Sequence, residues 1–152
     1  TYGNPKSIED LKHHRLVIQS DDRKRSQELY DKLFPGVSPI GFVSLRTNVA
    51  SAHYWSIVKG AGIGMLPTYA QAIGAHLLPL DIGVVHPIDI WMTYHPDAKR
   101  IERVKRTIDW IVQAFDPQRF PWFRDEFIHP EKLSEIYKGE PLANLFAGYL
   151  GK

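Results

Sequence analysis

The sequence predicts an α/β fold, because short β-rich runs alternate with stretches of helical periodicity along the chain. Its 152 residues are enough for one ordinary domain with a hydrophobic core. Hydrophobic residues make up 43% and charged residues 24%, close to the averages of globular proteins, so disordered and fibrous classes are excluded. We therefore expect a folded, soluble chain in which strands and helices alternate.

The first half of the chain contains two strand patterns, each followed by a helical pattern. Ser7 is placed to cap a short helix that begins at Ile8. The elements predicted next are a strand over 16–18, a helix over 21–34 ending at Pro35-Gly36, a strand over 42–45, and a helix from Asn48 to about residue 59. Asn48 is expected to cap the last of these helices.

The glycine-rich segment 59–67 separates that helix from the next predicted strand. Its alternating glycines suggest a dinucleotide-binding loop, but such a loop follows a strand and opens a helix. Here the helix comes first, and Gly60 is its expected left-handed C-cap. Ile63 to Leu66 is then the following strand, which Pro67 ends. We therefore do not assign nucleotide binding to this segment.

The clearest element of the second half is a helix from about Ala98 to Phe115. Its apolar residues repeat at spacings of three and four and form one stripe, composed of Ile101, Val104, Ile108, Ile111, Val112 and Phe115. The other elements predicted in this half are a short helix over 68–74, a short strand over 77–80, a longer strand over 88–94, and a helix over 130–137. The Pro- and aromatic-rich remainder, 118–152, is expected to pack over the body.

Four segments occur in a fixed order along residues 2–115. They are Gly3-Asn4-Pro5 followed by Asp10-Leu11-Lys12-His13-His14; Asn48 opening a helix that closes as Val58-Lys59-Gly60; Gly62-Ile63-Gly64-Met65-Leu66-Pro67; and Asp89-Ile90-Trp91 to His95, leading into Arg100-Ile101-Glu102-Arg103-Val104. Together they resemble the distal portion of the effector-binding domain of LysR-type transcription regulators. The tail, with Phe120-Pro121-Trp122-Phe123, resembles an extension found in one branch of that family.

The resemblance implies part of a two-lobed fold similar to type 2 periplasmic-binding proteins. In that fold a small effector binds between the lobes and changes how an oligomer holds promoter DNA. Residues 1–86 would form most of the second lobe, 87–117 the hinge return and part of the first lobe, and 118–152 a C-terminal extension packed on the body. The helix-turn-helix domain and the start of the first lobe are expected outside this sequence, so the isolated chain should not read DNA.

In such a fold, the strand around Trp91 and the helix after it pack on the rest of the first lobe. Without the rest of the first lobe, the strand would keep an open edge and the apolar stripe would be poorly covered. We expect the remainder of the sensor, or a swapped partner chain, to cover both.

The candidate ligand site lies where the strand over 42–45 runs into the next helix. A helix start presents unpaired backbone N–H groups and a partial positive charge, which suits a carboxylate. Thr47, Asn48 and Ser51 add polar partners, and Arg46 could bind the anion with its guanidinium fork. The resemblance places the effector pocket at these positions and beside Met65 and Pro67. The alternative is that Asn48 and Ser51 merely cap the helix while Arg46 points to water.

Other chemistries find little support in the residues. The absence of cysteine excludes disulfides and thiolate metal sites, and the seven histidines lack metal-binding spacing, since adjacent His13 and His14 diverge. No Gly-x-Ser-x-Gly motif indicates a nucleophile, so neither an enzyme nor a cofactor is expected. His53 is expected to be partly buried or on the surface, and His95 and His129, each before proline, are expected in turns.

Charge and hydropathy limit the partners. A net charge of +2 is too small to indicate nucleic acid or an anionic membrane. No apolar run approaches the ~20 residues that span a bilayer, so we expect a cytoplasmic protein without membrane contact. The basic helix start over 99–106 is interleaved with Glu102 and Asp109 and is expected to be a solvated face; a subunit contact or a contact with DNA phosphate remains open.

The leading hypothesis is therefore a sensor fragment that binds a small effector, with a carboxylate as the expected chemistry, and that acts as a homo-oligomer. DNA would be reached only through the domain outside this sequence. The alternative is a solute-binding protein of a transport system, which shares the fold. A catalytic domain is a third hypothesis and would require a convergent acid–base pair in the cleft.

Overall fold

A computed structural model of the protein describes residues 3–20, 23–73 and 77–139. The chain divides between Val84 and Val85 into two compact units, which we call unit 1 and unit 2. Unit 1 contains a parallel pair of strands, β1 (Leu16–Gln19) and β2 (Val43–Thr47). Ile63 forms a parallel bridge to Leu16, so β1 lies between β2 and the Ile63 segment.

The helices of unit 1 follow its strands, as the sequence predicts. They are α1 (Arg23–Leu33) after β1 and α2 (Ala50–Val58) after β2, with 3-10 helices over Glu9–His13 and Thr68–Ile73. Gly36 and Gly60, just beyond α1 and α2, have φ of 73° and 78°, the left-handed conformation that glycine adopts at helix ends. Predicted residues 21, 22 and 74 lie outside the described residues.

One face of the β1–β2 pair carries the main hydrophobic core. Leu16 packs there with Tyr30 of α1, with Phe34 directly after that helix, and with Leu11 and Phe42. The rings of Phe34 and Phe42 meet edge to face with centroids 5.0 Å apart, a favourable aromatic geometry. Because no member of this cluster comes from α2, α1 is the helix that covers this face.

The other face of the sheet is covered by α2. His53 of α2 is 2% exposed, and its Nε2 lies 3.2 Å from the carbonyl oxygen of Val17, the β1 residue after Leu16. Successive strand residues point to opposite faces, so Leu16 and Val17 serve different helices. Unit 1 is therefore a three-layer arrangement of helix, strand pair and helix.

Unit 2 is helical. It contains α3 (Glu102–Ala114) and α4 (Leu133–Ile136), with 3-10 helices over Pro96–Arg100, Pro121–Phe123 and Pro130–Lys132. The long amphipathic helix and the helix near 130–137 are thus confirmed. His95 and His129 precede two of the 3-10 helices, where their Nδ1 atoms accept from the backbone N–H of Asp97 and Glu131, so the predicted turn positions are also confirmed.

Aromatic side chains of the tail are half-buried and contact one another beyond α3. The rings of Phe115 and Phe123 lie 4.8 Å apart, and those of Trp122 and Tyr137 lie 4.9 Å apart. Ile108, Ile128 and Leu133 are buried. Phe123 of the tail thus contacts Phe115 just after α3, and the packing of residues 118–152 on the rest of the chain stays a prediction.

Three predicted strands are wrong. The Ile63–Leu66 segment pairs only through the bridge at Ile63, and residues 77–80 and 88–94 form no strand. No backbone hydrogen bond joins 88–94 to another described residue. The alternating apolar pattern is present, but a strand also needs a ladder partner, and this segment has none within the described residues.

The apolar stripe of α3 is only partly covered, as predicted. Ile108 is buried, whereas Ile101, Val112 and Phe115 are exposed. In the part of the chain that the structure describes, no helix combines the length and the apolar character needed to cross a bilayer.

Candidate functional site

The carboxyl ends of the parallel strands of unit 1 meet at one edge of the sheet, which we call the carboxyl edge. β1 ends at Gln19 opposite Thr47 of β2, and the segment after Ile63 leaves the same edge. The chain passes from β1 to β2 and then crosses back to the far side of β1. Open α/β sheets bind ligands outside such a reversal of strand order.

Thr47 is fixed at this edge by two hydrogen bonds. Its carbonyl oxygen accepts from the N–H of Ser20 at 2.8 Å, and its Oγ1 accepts from the N–H of Val49 at 3.1 Å. A hydroxyl that accepts one hydrogen bond can still donate one. The Thr47 hydroxyl is thus held in place while remaining able to donate to an anionic or carbonyl oxygen.

Asn48 does not cap α2, so that prediction is wrong. The N-cap residue is Val49, and no side chain accepts from the first turn of the helix. β2 extends through Thr47, and the turn bonded by its Oγ1 starts the helix one residue later than the sequence suggests. Because neither Asn48 nor Ser51 makes a cap, both exposed side chains keep their hydrogen-bonding capacity.

The first turn of α2 supplies backbone donors at the carboxyl edge. The N–H groups of Ala50, Ser51 and Ala52 precede the first intrahelical donor, His53, whose N–H bonds the Val49 carbonyl at 3.0 Å. Such amides, together with the helix dipole, attract an anion. The site thus offers backbone amides beside the side chains of Thr47, Asn48 and Ser51.

Arg46 is not brought together with the Thr47 hydroxyl. Arg46 pairs with Ile18, which packs against the α1-side core, and neighbouring strand residues point to opposite faces. The electrostatics agree: burial raises the pKa of Tyr30 on α1, and the Arg46 charge partly opposes that rise. Arg46 therefore lies on the α1 side, and Thr47 is directed to the side of α2.

Met65 and Pro67 follow the Ile63 bridge and are both exposed. Gly64 fixes the path between them and the sheet: a Cβ there would lie 2.5 Å from Ile57 Cδ1, 2.8 Å from the Val17 oxygen and 3.0 Å from His53 Nε2. Only glycine allows this close approach. The structure therefore brings this segment firmly against β1 and α2, next to the carboxyl edge.

The structure corrects the expectation for His53 and adds two buried polar residues, Ser20 and Tyr54, that the sequence does not predict. His53 is fully buried, where the sequence suggested partial or surface exposure; its spacing of four from Ile57 on α2 was the available signal. The Ser20 Oγ and the Tyr54 hydroxyl are buried without a hydrogen-bond partner among the described residues, and burial raises the pKa of Tyr54. Ser20 follows β1 directly, as Thr47 ends β2, so the same strand-end rule would have found it.

Metal chemistry has no visible basis in the described part of the chain, where no three His, Asp or Glu side chains are grouped to hold an ion. Comparison with models of protein families, with curated proteins and with solved structures finds no match to this chain.

Proposed function

We propose that this chain is the effector-sensing part of a LysR-type transcription regulator and that it binds a small carboxylate at the carboxyl edge of unit 1. The observation that carries the proposal is the strand order β2–β1–Ile63, which collects Thr47, Asn48, Ser51, Met65 and Pro67 at one edge. These are five of the six positions to which the resemblance assigns the effector pocket; the sixth is Arg46.

The chemistry of the edge suits a carboxylate. The α2 amides and the Thr47 hydroxyl are donors, and the Asn48 amide can donate as well. Met65 provides an exposed apolar side chain for the body of the effector. Arg46 is not needed in this proposal, because its side chain lies on the other face of the sheet.

Unit 2 supports the larger organisation in the proposal, that of a two-lobed cytoplasmic sensor acting as a homo-oligomer. Ile88, Ile90 and Trp91 form an exposed apolar segment without ladder partners among the described residues. In the proposed fold, strands of the first lobe would pair with this segment and cover α3, and a helix-turn-helix domain elsewhere in the protein would contact DNA.

The binding site is tested by titrating the ¹⁵N-labelled chain with a panel of mono- and dicarboxylates and following backbone amides by NMR. We expect saturable shifts at Ser20, Asn48 and Ser51. Thr47→Val, which removes the hydroxyl at constant shape, should weaken binding about tenfold, the cost of a hydrogen bond to a charged group. Thr47→Ser should retain binding.

Thr93→Val is the matched control, because Thr93 is an exposed threonine of unit 2 and makes no hydrogen bond with another described residue. Equal affinities for Thr47→Val and Thr93→Val would remove the proposed site. The regulator itself is tested on the full-length protein: a helix-turn-helix preceding Thr1 supports it, whereas an export signal there would favour the solute-binding protein of a transport system instead.

A further inference from the structure

The C-terminal part of unit 2 forms a cavity, open to solvent on one side, that the proposed effector site does not use. It has a volume of about 280 Å³ and is lined by residues that include Arg119, Phe120, Pro121, Arg124, Tyr137 and Lys138. We call it the extension cavity. Its volume is close to the lower end of the roughly 300–1,000 Å³ typical of small-molecule sites and far exceeds the ~30 Å³ share of one water molecule.

The lining of the extension cavity is positively charged. Arg119, Arg124 and Lys138 contribute three cations, and no acidic side chain among the described residues lines the cavity. The Arg124 guanidinium is held by a hydrogen bond from its Nε to the Pro117 oxygen at 3.2 Å. Glu126 lies 3.4 Å from Arg124 Nη1 but is largely exposed, so it offsets only part of this charge.

Two of the cations have no carboxylate partner among the described residues. Lys138 Nζ donates to the neutral carbonyl of Ser134 at 3.1 Å. The guanidinium carbon of Arg119 lies 5.2 Å from the centroid of the Phe120 ring, and no described acidic group pairs with it. An anion in the cavity would therefore meet two cations that no carboxylate of the described residues compensates.

The walls of the cavity are aromatic. The ring centroids of Phe120 and Tyr137 lie 6.2 Å apart, with an interplanar angle of 36°. The ring centroid of Trp122 lies 5.3 Å from that of Phe120 and 4.9 Å from that of Tyr137. Gly139 permits this packing, since a Cβ there would come within 2.5 Å of the Tyr137 ring. An aromatic wall favours a planar apolar ligand body, and a guanidinium fork favours a planar carboxylate.

We propose that the extension cavity is a second binding site, for a small aromatic carboxylate. The ring of the ligand packs along Phe120 and Tyr137, and its carboxylate lies between Arg119, Arg124 and Lys138. An inorganic anion would satisfy the cations but leave the aromatic wall uncovered, and a neutral aromatic would do the reverse.

The test is an NMR titration of the ¹⁵N-labelled chain with benzoate, with benzyl alcohol and with inorganic phosphate. We expect saturable benzoate shifts at amides of 118–124 and 136–139, and weaker binding of the other two compounds. Arg119→Gln should weaken benzoate binding about tenfold or more, as for other hydrogen bonds to charged groups. The Ile108 amide of α3 reports in each sample that unit 2 is folded.

Arg103→Gln is the matched control, because it removes the same charge from an exposed site on α3 outside the cavity. The proposal is overturned if benzoate gives no shifts at the amides of 118–124 and 136–139, or if the shifts there do not saturate. It is equally overturned if phosphate or benzyl alcohol binds as tightly as benzoate, or if Arg103→Gln weakens binding as much as Arg119→Gln. Shifts at Ser20 and Asn48 report on the carboxyl edge, so the two sites are judged separately.

Discussion

The two units of this chain contrast in how completely they bury their apolar residues. In unit 1, both faces of the strand pair are covered by helices from the same unit, and Val17 and His53 are each 2% exposed. In unit 2, Trp91 is 84% exposed and Trp110 is 69% exposed. Unit 1 also exposes single apolar side chains such as Ile40 and Leu78, but it covers its strand pair with its own helices, whereas unit 2 leaves two tryptophans largely exposed.

The difference follows from what each unit supplies for its strand segments. β1 has neighbours on both sides, β2 and Ile63, which satisfy its backbone and let side chains pack on both faces. Residues 88–94 of unit 2 have no such neighbour among the described residues. An amphipathic helix such as α3 buries its stripe only where another layer is present.

The largest expected effect tests this contrast through paired aromatic truncations. Phe34→Ala in the core of unit 1, where Phe34 is 4% exposed, should lower the free energy of unfolding by about 3–5 kcal/mol. Trp110→Ala in unit 2 removes a larger but exposed side chain and should change it by about 0.5 kcal/mol or less. Urea titrations followed at the Val17 and Ile108 amides measure the two units separately.

The contrast between the units would be broken by a Trp110→Ala variant that loses several kcal/mol at the Ile108 amide. Such a loss would mean that Trp110 is buried in solution, by a second chain or by another segment. Sedimentation at two protein concentrations would then identify a second chain, because only association depends on concentration.

A second, smaller effect is expected at the close approach between Gly64 and its neighbours. Gly64→Ala should cost about 1–3 kcal/mol in unit 1, because the new Cβ overlaps Ile57 Cδ1 and the Val17 carbonyl oxygen. Ile57→Val removes Cδ1, so the double variant should lose less than the sum of the single losses. Strict additivity in urea unfolding would show that the Ile57 side chain does not limit this position.

The sequence predicted the helices well and the strands poorly, and the reason is physical. A helix such as α3 satisfies its own backbone, so the 3.6-residue periodicity from Ile101 onward sufficed to predict it. The apolar alternation of Ile88, Ile90 and Met92 carries no information on whether a partner strand is present. Similar apolar patterns form strands only at β1 and β2, where each segment has a neighbouring strand to pair with.

The candidate site shows the same limit at the level of single residues. The strand-to-helix junction at Thr47 was predictable, because it depends on local chain order. The side of the sheet on which Arg46 lies, and the burial of His53 and Ser20, depend on which helix covers which face. Those facts arise from the crossover of the chain and not from local pattern.

The smallest effect is expected on local stability at the start of unit 1. There Asp10 holds the 3-10 turn that carries buried Leu11. The backbone N–H of Lys6, 2.9 Å from Asp10 Oδ2, lowers the pKa of Asp10, and hydrogen bonds with Ser7 lower it further. Because the pKa of Asp10 is depressed in the folded state, the associated stability is present above the unfolded-state pKa. It is lost as the pH falls through the folded-state pKa.

Acidification below about pH 4 should therefore weaken hydrogen-exchange protection at Leu11, and Asp10→Asn should remove that pH dependence. The Ile108 amide of unit 2 is the internal reference, and an acid response of Leu11 that persists unchanged in Asp10→Asn would assign it to another group.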